Sequence, residues 1–228
     1  VAIEDAQFGA PLSRPGKILA APVNYLDHKV EMSEQQTIAE YGLFLKANSS
    51  VIGPKGTILL PYSDRRIDQE GELAIVIGAE ARDVPVEHAD SVVFGYTCLL
   101  DISLRSTEDR STRKSFDTFT PIGPWITTRD AVPNPDDLPL KCWVNDELRQ
   151  ETTTAELIYS TRELVAYASS IMTLQPGDVI ATGTPAGVGP LKDGDTVRVE
   201  ISGLGALEVG VSGASAIPYE ERPGTRIR

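Results

Sequence analysis

Glycine and proline, 19 and 16 of them, cut this chain into many short apolar runs. That punctuation constrains the fold more than any other feature, because helical bundles need longer uninterrupted periodic segments. The runs at Lys17–Ala21, Leu43–Leu45, Glu72–Gly78, Val92–Leu104, Trp125–Thr127, Lys141–Val144, Val179–Thr182, Thr196–Ile201 and Ala206–Val211 predict strands. Thr196–Ile201 alternates with a period of two, so one face should be wet. Leu73-Ala74-Ile75-Val76-Ile77 is apolar on both faces and should be buried. Helical spacing is clearest over Glu156–Met172, with shorter helices predicted over Asn24–Met32 and around Thr37–Tyr41. Asn145-Asp146-Glu147 reads as a hairpin turn, and Ile217–Arg228 as an extended tail. The expectation is a mainly β, α+β chain with a few short helices.

At 228 residues the chain can bury one substantial core without dividing. Its net charge of −12 argues against a nucleic-acid partner, which demands clustered cations. It leaves room for a small anionic ligand, which responds to the local field. No stretch is long and apolar enough for a membrane helix, and Val1–Asp5 lacks the basic-then-apolar layout of a signal peptide. The chain opens without Met, which fits the loss of an upstream segment. Cys98 and Cys142, far apart in sequence, read as reduced, buried thiols of a cytoplasmic protein.

Glu70 and Glu72 lie two apart at the mouth of the buried Leu73–Ile77 strand, so their carboxylates share a face. An isolated E-x-E is ordinarily a solvated strand edge. Leading into a strand buried on both faces, the pair would repel and lose hydration without a compensating cation. Asp101 interrupts another apolar run; either Arg105 neutralises it or it joins the glutamates. Together the three form an all-oxygen set suited to Mg2+ or Mn2+ rather than zinc. His28 and Glu31, at i and i+3 on a helix, are either a surface ion pair or a dyad able to deprotonate water. His88 reads as an exposed loop residue with no role. Thr182–Gly189 is a Gly-rich turn lacking P-loop chemistry, whose amides and Thr184 hydroxyl could bind a carboxylate. No G-x-S-x-G is present to support a serine hydrolase.

The segments N-Y-L-D-H-K-V-E-M (24–32), L-F-L-K (43–46), D-Q-E-G-E-L-A-I-V-I-G (68–78) and G-Y-T-C-L-L-D-I-S-L-R (95–105) form an ordered series. K-S-F-D-T-F-T-P-I-G-P-W (114–125), V-N-D-E-L-R-Q (144–150) and L-Q-P-G-D-V-I-A-T-G-T-P-A-G-V-G (174–189) complete it. In order and spacing the series resembles the fumarylacetoacetate hydrolase superfamily, in its acylpyruvate hydrolase and hydroxymuconate isomerase-like branch. The resemblance implies a mixed β-sandwich roll over 17–213, a lead-in at 1–16, an extended tail at 214–228, and a homodimer. It implies metal ligands at Glu70, Glu72 and Asp101, a His28–Glu31 dyad on a lid helix, and a catalytic Lys114. It places substrate contacts at Tyr25, Lys46, Arg105, Gln150 and Thr184. Two departures stand out: R-D-x-Q becomes Arg105-Ser106-Thr107-Glu108, and the proline after F-x-K is Ala47. Ser33–Tyr41 should form part of the lid.

The implied reaction is hydrolysis of a carbon–carbon bond in a small acylpyruvate or 1,3-diketo acid, with Mg2+ or Mn2+ as Lewis acid and template. His28, held by Glu31, activates the water; metal, Lys114 and Arg105 stabilise the leaving enolate. Decarboxylation, isomerisation or tautomerisation of related keto acids uses the same parts without an attacking water. A non-catalytic ligand-binding homologue is a third reading.

Overall fold

A computed structural model gives the architecture and describes residues 9–224. A seven-stranded mixed sheet runs in the spatial order Phe44–Lys46, Ile18–Ala20, Val179–Ala181, Gly71–Ile77, Val93–Leu100, Thr120–Thr128, Val51–Ile52. A five-stranded sheet faces it, ordered Glu147–Thr153, Pro139–Val144, Thr196–Ile201, Gly205–Ser212, Thr57–Leu59. A small three-stranded sheet joins Gly189–Pro190, Ile67–Gln69 and Ser103–Leu104.

Gly71–Ile77 is buried along its whole length. Its odd-numbered apolar side chains, Leu73, Ile75 and Ile77, enter the main core with Leu140, Val144, Val197 and Val199 of the five-stranded sheet. Ala74 instead joins a second cluster with Ile18, Phe44, Leu99 and Val179, onto which Ala10 and Leu12 pack. Two apolar neighbourhoods explain why this strand reads as a continuous hydrophobic run. In Thr196–Ile201, Val197, Val199 and Ile201 are buried while the residues between them are partly exposed, as the alternation predicts.

The predicted Val92–Leu104 strand is two strands. Val93–Leu100 ends before Asp101, whose amide donates to Glu70 O, and Ser103–Leu104 passes to the three-stranded sheet. The break puts the aspartate at a strand end, beside the glutamates.

Among the described residues, four α-helices occur: α1 (Leu26–Glu31), α2 (Ile38–Tyr41), α3 (Arg110–Arg113) and α4 (Thr161–Ile171). The helix predicted over Glu156–Met172 starts later, because Ser160 and Glu163 form a capping box at its N-terminus. Leu157 bridges to Tyr25 and the Ile158 amide donates to Asn24 O, so both lie outside the helix despite their spacing.

The segment from Ile217 is pinned rather than free. Ile217 bridges to Tyr62, the Tyr219 ring meets the Tyr62 ring edge-on, and Glu108 accepts from Tyr219 and Arg222. The remaining residues of the expected lead-in and tail, 1–8 and 225–228, lie outside the described residues. No helix among the described residues is long and apolar enough to cross a membrane.

Candidate active site

Glu70, Glu72 and Asp101 converge, with ligand oxygens all within 4.8 Å of one another and all three residues buried. Period-two geometry supplies the two glutamates, and the end of the neighbouring strand supplies the aspartate. Their surroundings are unequal. Glu70 accepts from Lys114 Nζ at 2.6 Å and from Arg105 at 2.7 Å. Asp101 accepts from Lys114 at 2.7 Å and from Lys46. Glu72, only 2% exposed, accepts from the Gly183 amide at 2.8 Å but touches no cationic side chain among the described residues. Burial, and then the charges of Asp101 and Glu70, push its carboxyl well above the usual range. Burial would raise Glu70 too, but Lys114, Arg105 and His28 overcome it and hold its carboxyl low.

α1 reverses the usual helix pattern. His28 is buried, while Leu26 and Val30 are 67% and 79% exposed. A short helix that turns its imidazole inward and its aliphatic side chains outward serves a site rather than a core. His28 Nδ1 lies 3.1 Å from Glu31 Oε2, and Glu31 Oε1 accepts from the Gly187 amide at 2.9 Å. The Gly-rich turn does bind carboxylates, as its sequence suggests, but they are the protein's own: Glu72 through Gly183 and Glu31 through Gly187. At Gly187 the backbone is left-handed (φ +101°), and a Cβ there would stand 1.8 Å from Arg149 O, so only glycine fits.

A cavity of about 40 Å³ opens onto this cluster, lined in part by His28, Glu70, Glu72, Asp101, Arg105, Lys114 and Thr184. Tyr25, Glu31, Lys46 and Gln150 are not in its wall. Two sequence expectations change accordingly. Lys46 donates to Asp101 and to the carbonyls of Lys114 and Phe119, so its ammonium has no donor left for a substrate and instead positions Asp101. Gln150 accepts from the Gly71 amide at 2.9 Å and donates to Thr184 and Pro185, so it braces the peptide between the two glutamates. Thr184 lines the cavity while donating to Gly71 O at 2.9 Å. Tyr25 is buried with its hydroxyl unpartnered among the described residues; burial, then Glu72, raises its pKa.

Arg105 does not neutralise Asp101. Its guanidinium spans Asp68 and Glu70, each at 2.7 Å. Asp68 escaped sequence reasoning, although it precedes Glu70 by two and so carried the same period-two signal. Also missed were Glu34, Arg110 and Arg113, which line the cavity. Arg110 pairs with Glu34 at 3.1 Å and stacks over the Tyr41 ring at 4.1 Å, fastening Ser33–Tyr41 to α3. His88 is exposed within a 3-10 turn, Val86–Val92, away from the site.

Residues 17–212 match the family model described as fumarylacetoacetate (FAA) hydrolase C-terminal. The maleylpyruvate hydrolase of Aquipseudomonas alcaligenes is 44% identical over 222 residues, covering 92% of this chain and 77% of that protein. A crystal structure of maleylpyruvate hydrolase from Sphingobium sp. SYK-6, in complex with manganese(II) and pyruvate, is 47% identical with a TM-score of 0.81. It covers 90% of this chain and 73% of that one. The structure of 5-carboxymethyl-2-hydroxymuconate delta-isomerase from Mycobacterium smegmatis is 39% identical, TM-score 0.83, with coverages of 93% and 84%. The two facing sheets, the buried acidic trio and a match spanning nearly the whole chain lead to one assignment: the protein belongs to the fumarylacetoacetate hydrolase family.

Proposed function

We propose that the protein is a divalent-metal-dependent hydrolase that cleaves a carbon–carbon bond in small acylpyruvates or related 1,3-diketo acids. Glu72 carries the reading. A buried carboxyl beside two others, with no cationic side chain in contact, must take up either a proton or a metal ion, and the converging all-oxygen donor set suits Mg2+ or Mn2+. The manganese and pyruvate in the Sphingobium relative support both the ion and the keto-acid class. Glu70, Glu72 and Asp101 would hold the ion, which supplies Lewis-acid polarisation of keto-acid oxygens.

The chain's own residues do the rest. With Nδ1 turned to Glu31, His28 keeps Nε2 to take a proton from water. The water oxygen bonds to the distal carbonyl carbon, and the bond from that carbon to the methylene breaks. Its electron pair remains on the methylene side as an enolate, toward which Lys114 and Arg105 direct positive charge. The imidazolium returns its proton to the methylene carbon, which becomes the methyl group of pyruvate, and the distal carbonyl carbon leaves as a carboxylic acid. Thr184, in the cavity wall, gives the bound acid a neutral neighbour.

Isomerisation, tautomerisation or decarboxylation of a related keto acid is the second reading, supported by likeness to the Mycobacterium smegmatis isomerase. The dyad favours hydrolysis, because only that reaction needs an activated water. Product analysis of His28→Ala separates them. The hydrolase reading expects wild type to release pyruvate and the variant to release none; pyruvate release unaltered by the variant would sink the role given to His28. A cytoplasmic homodimer completes the proposal. Phe94 and Trp125, each 49% exposed on paired strands, offer apolar surface to a second copy, and Cys98 and Cys142 are free thiols.

A further inference from the structure

Beyond the small inner cavity lies a wider groove of about 550 Å³, whose wall includes Tyr41, Leu43, Leu45, Ser106 and Met172. Arg110 and Arg113 line both spaces, so α3 stands where one opens into the other. Their charges are not equally available. Arg105 is committed to Asp68 and Glu70, and Arg110 to Glu34 and the Tyr41 ring. The Arg113 side chain makes no hydrogen bond or ion pair among the described residues, although it is partly buried. Burial, and then the neighbouring Arg105 guanidinium, hold its pKa below the usual arginine value. A partly buried guanidinium left without an acceptor beside other cations is an anion site.

We propose that Arg113 binds a second carboxylate at the far end of the substrate, so that the protein prefers dicarboxylic acylpyruvates to monocarboxylic ones of equal length. This rests on the acylpyruvate reading above. The keto-acid head occupies the inner cavity, the acyl chain crosses between the arginines, and its terminal carboxylate meets the planar guanidinium in the groove. Arg110 cannot substitute, because taking the carboxylate would release Glu34 and loosen Ser33–Tyr41.

Succinylpyruvate and butanoylpyruvate form a matched pair, with the same chain length and the same diketo head, differing only in the terminal carboxylate. The expected ratio of their kcat/KM values is about 10- to 100-fold in wild type, the range of one charge-assisted hydrogen-bonded pair. Arg113→Gln should bring the ratio to about one, mainly through KM for succinylpyruvate, and Arg113→Lys should restore part of it. Thermal stabilisation of the metal-free protein by the two compounds reads the same preference without turnover. If wild type cleaves neither compound, the hydrolase reading fails, and the stabilisation still tests Arg113. A preference that survives intact in Arg113→Gln by either readout, or a wild type showing none, overturns the inference.

Discussion

Glu31 Oε1 accepts a hydrogen bond from the Gly187 amide at 2.9 Å, across 156 residues of sequence. The other oxygen of the same carboxylate meets the His28 imidazole. The orientation of the proposed base therefore depends on a backbone amide in a distant turn as well as on its own helix.

That dependence makes Gly187→Ala informative. The new methyl would collide with Arg149 O, at a left-handed backbone position that costs about 1–2 kcal/mol for an L side chain even without the clash. The melting temperature should fall by about 2–8 °C, and kcat by about tenfold as Glu31 loses its anchor. A variant with wild-type melting and turnover would show that the turn does not hold the dyad.

Lys46 makes a different demand. Its ammonium is fully enclosed with Asp101 and two carbonyls, and burial pushes its pKa down. Lys46→Met leaves Asp101 short of a buried partner, a loss of about 3–5 kcal/mol. Thermal denaturation should register a drop of about 6–20 °C; a change below about 2 °C would mean that the pair contributes little.

Glu72→Gln should do the reverse in the absence of metal. The amide oxygen can still accept from Gly183, while the cost of burying a titratable carboxyl beside Asp101 and Glu70 disappears. Melting in chelator should rise by about 2–4 °C, equivalent to about 1 kcal/mol. The stabilisation that Mn2+ gives wild type should vanish. A lower melting temperature in chelator, with Mn2+ stabilisation retained, contradicts the assignment of this carboxylate.

Burial pushes the Cys98 and Cys142 thiols up to about 12. Both remain protonated at pH 8, and the reactive species is the thiolate. A thiol reagent should modify neither in the folded protein and both after denaturation. Modification of either at the rate of free cysteine would contradict the packing.

The metal trio was legible because burial makes carboxylates expensive: Glu70 and Glu72 sit two apart before an apolar strand, and Asp101 interrupts another. His28 and Glu31 were legible from helical spacing. Lys46 and Gln150 were not, since sequence cannot distinguish a cavity wall from the layer behind it; only their partners, Asp101 and the Gly71 peptide, make that distinction. Arg113 gave no signal at all, because its significance lies in lacking the acceptors that Arg105 and Arg110 possess. The start of α4 was misplaced because the Ser160–Glu163 capping box outweighs the helical spacing of Leu157 and Ile158.

Metal dependence tests the central claim most directly. Pyruvate release from an acylpyruvate should require Mn2+ or Mg2+, cease in excess chelator, return when the ion is restored, and be absent from Glu70→Gln and Glu72→Gln at every metal concentration. Pyruvate release that persists in chelator and in both variants would contradict it.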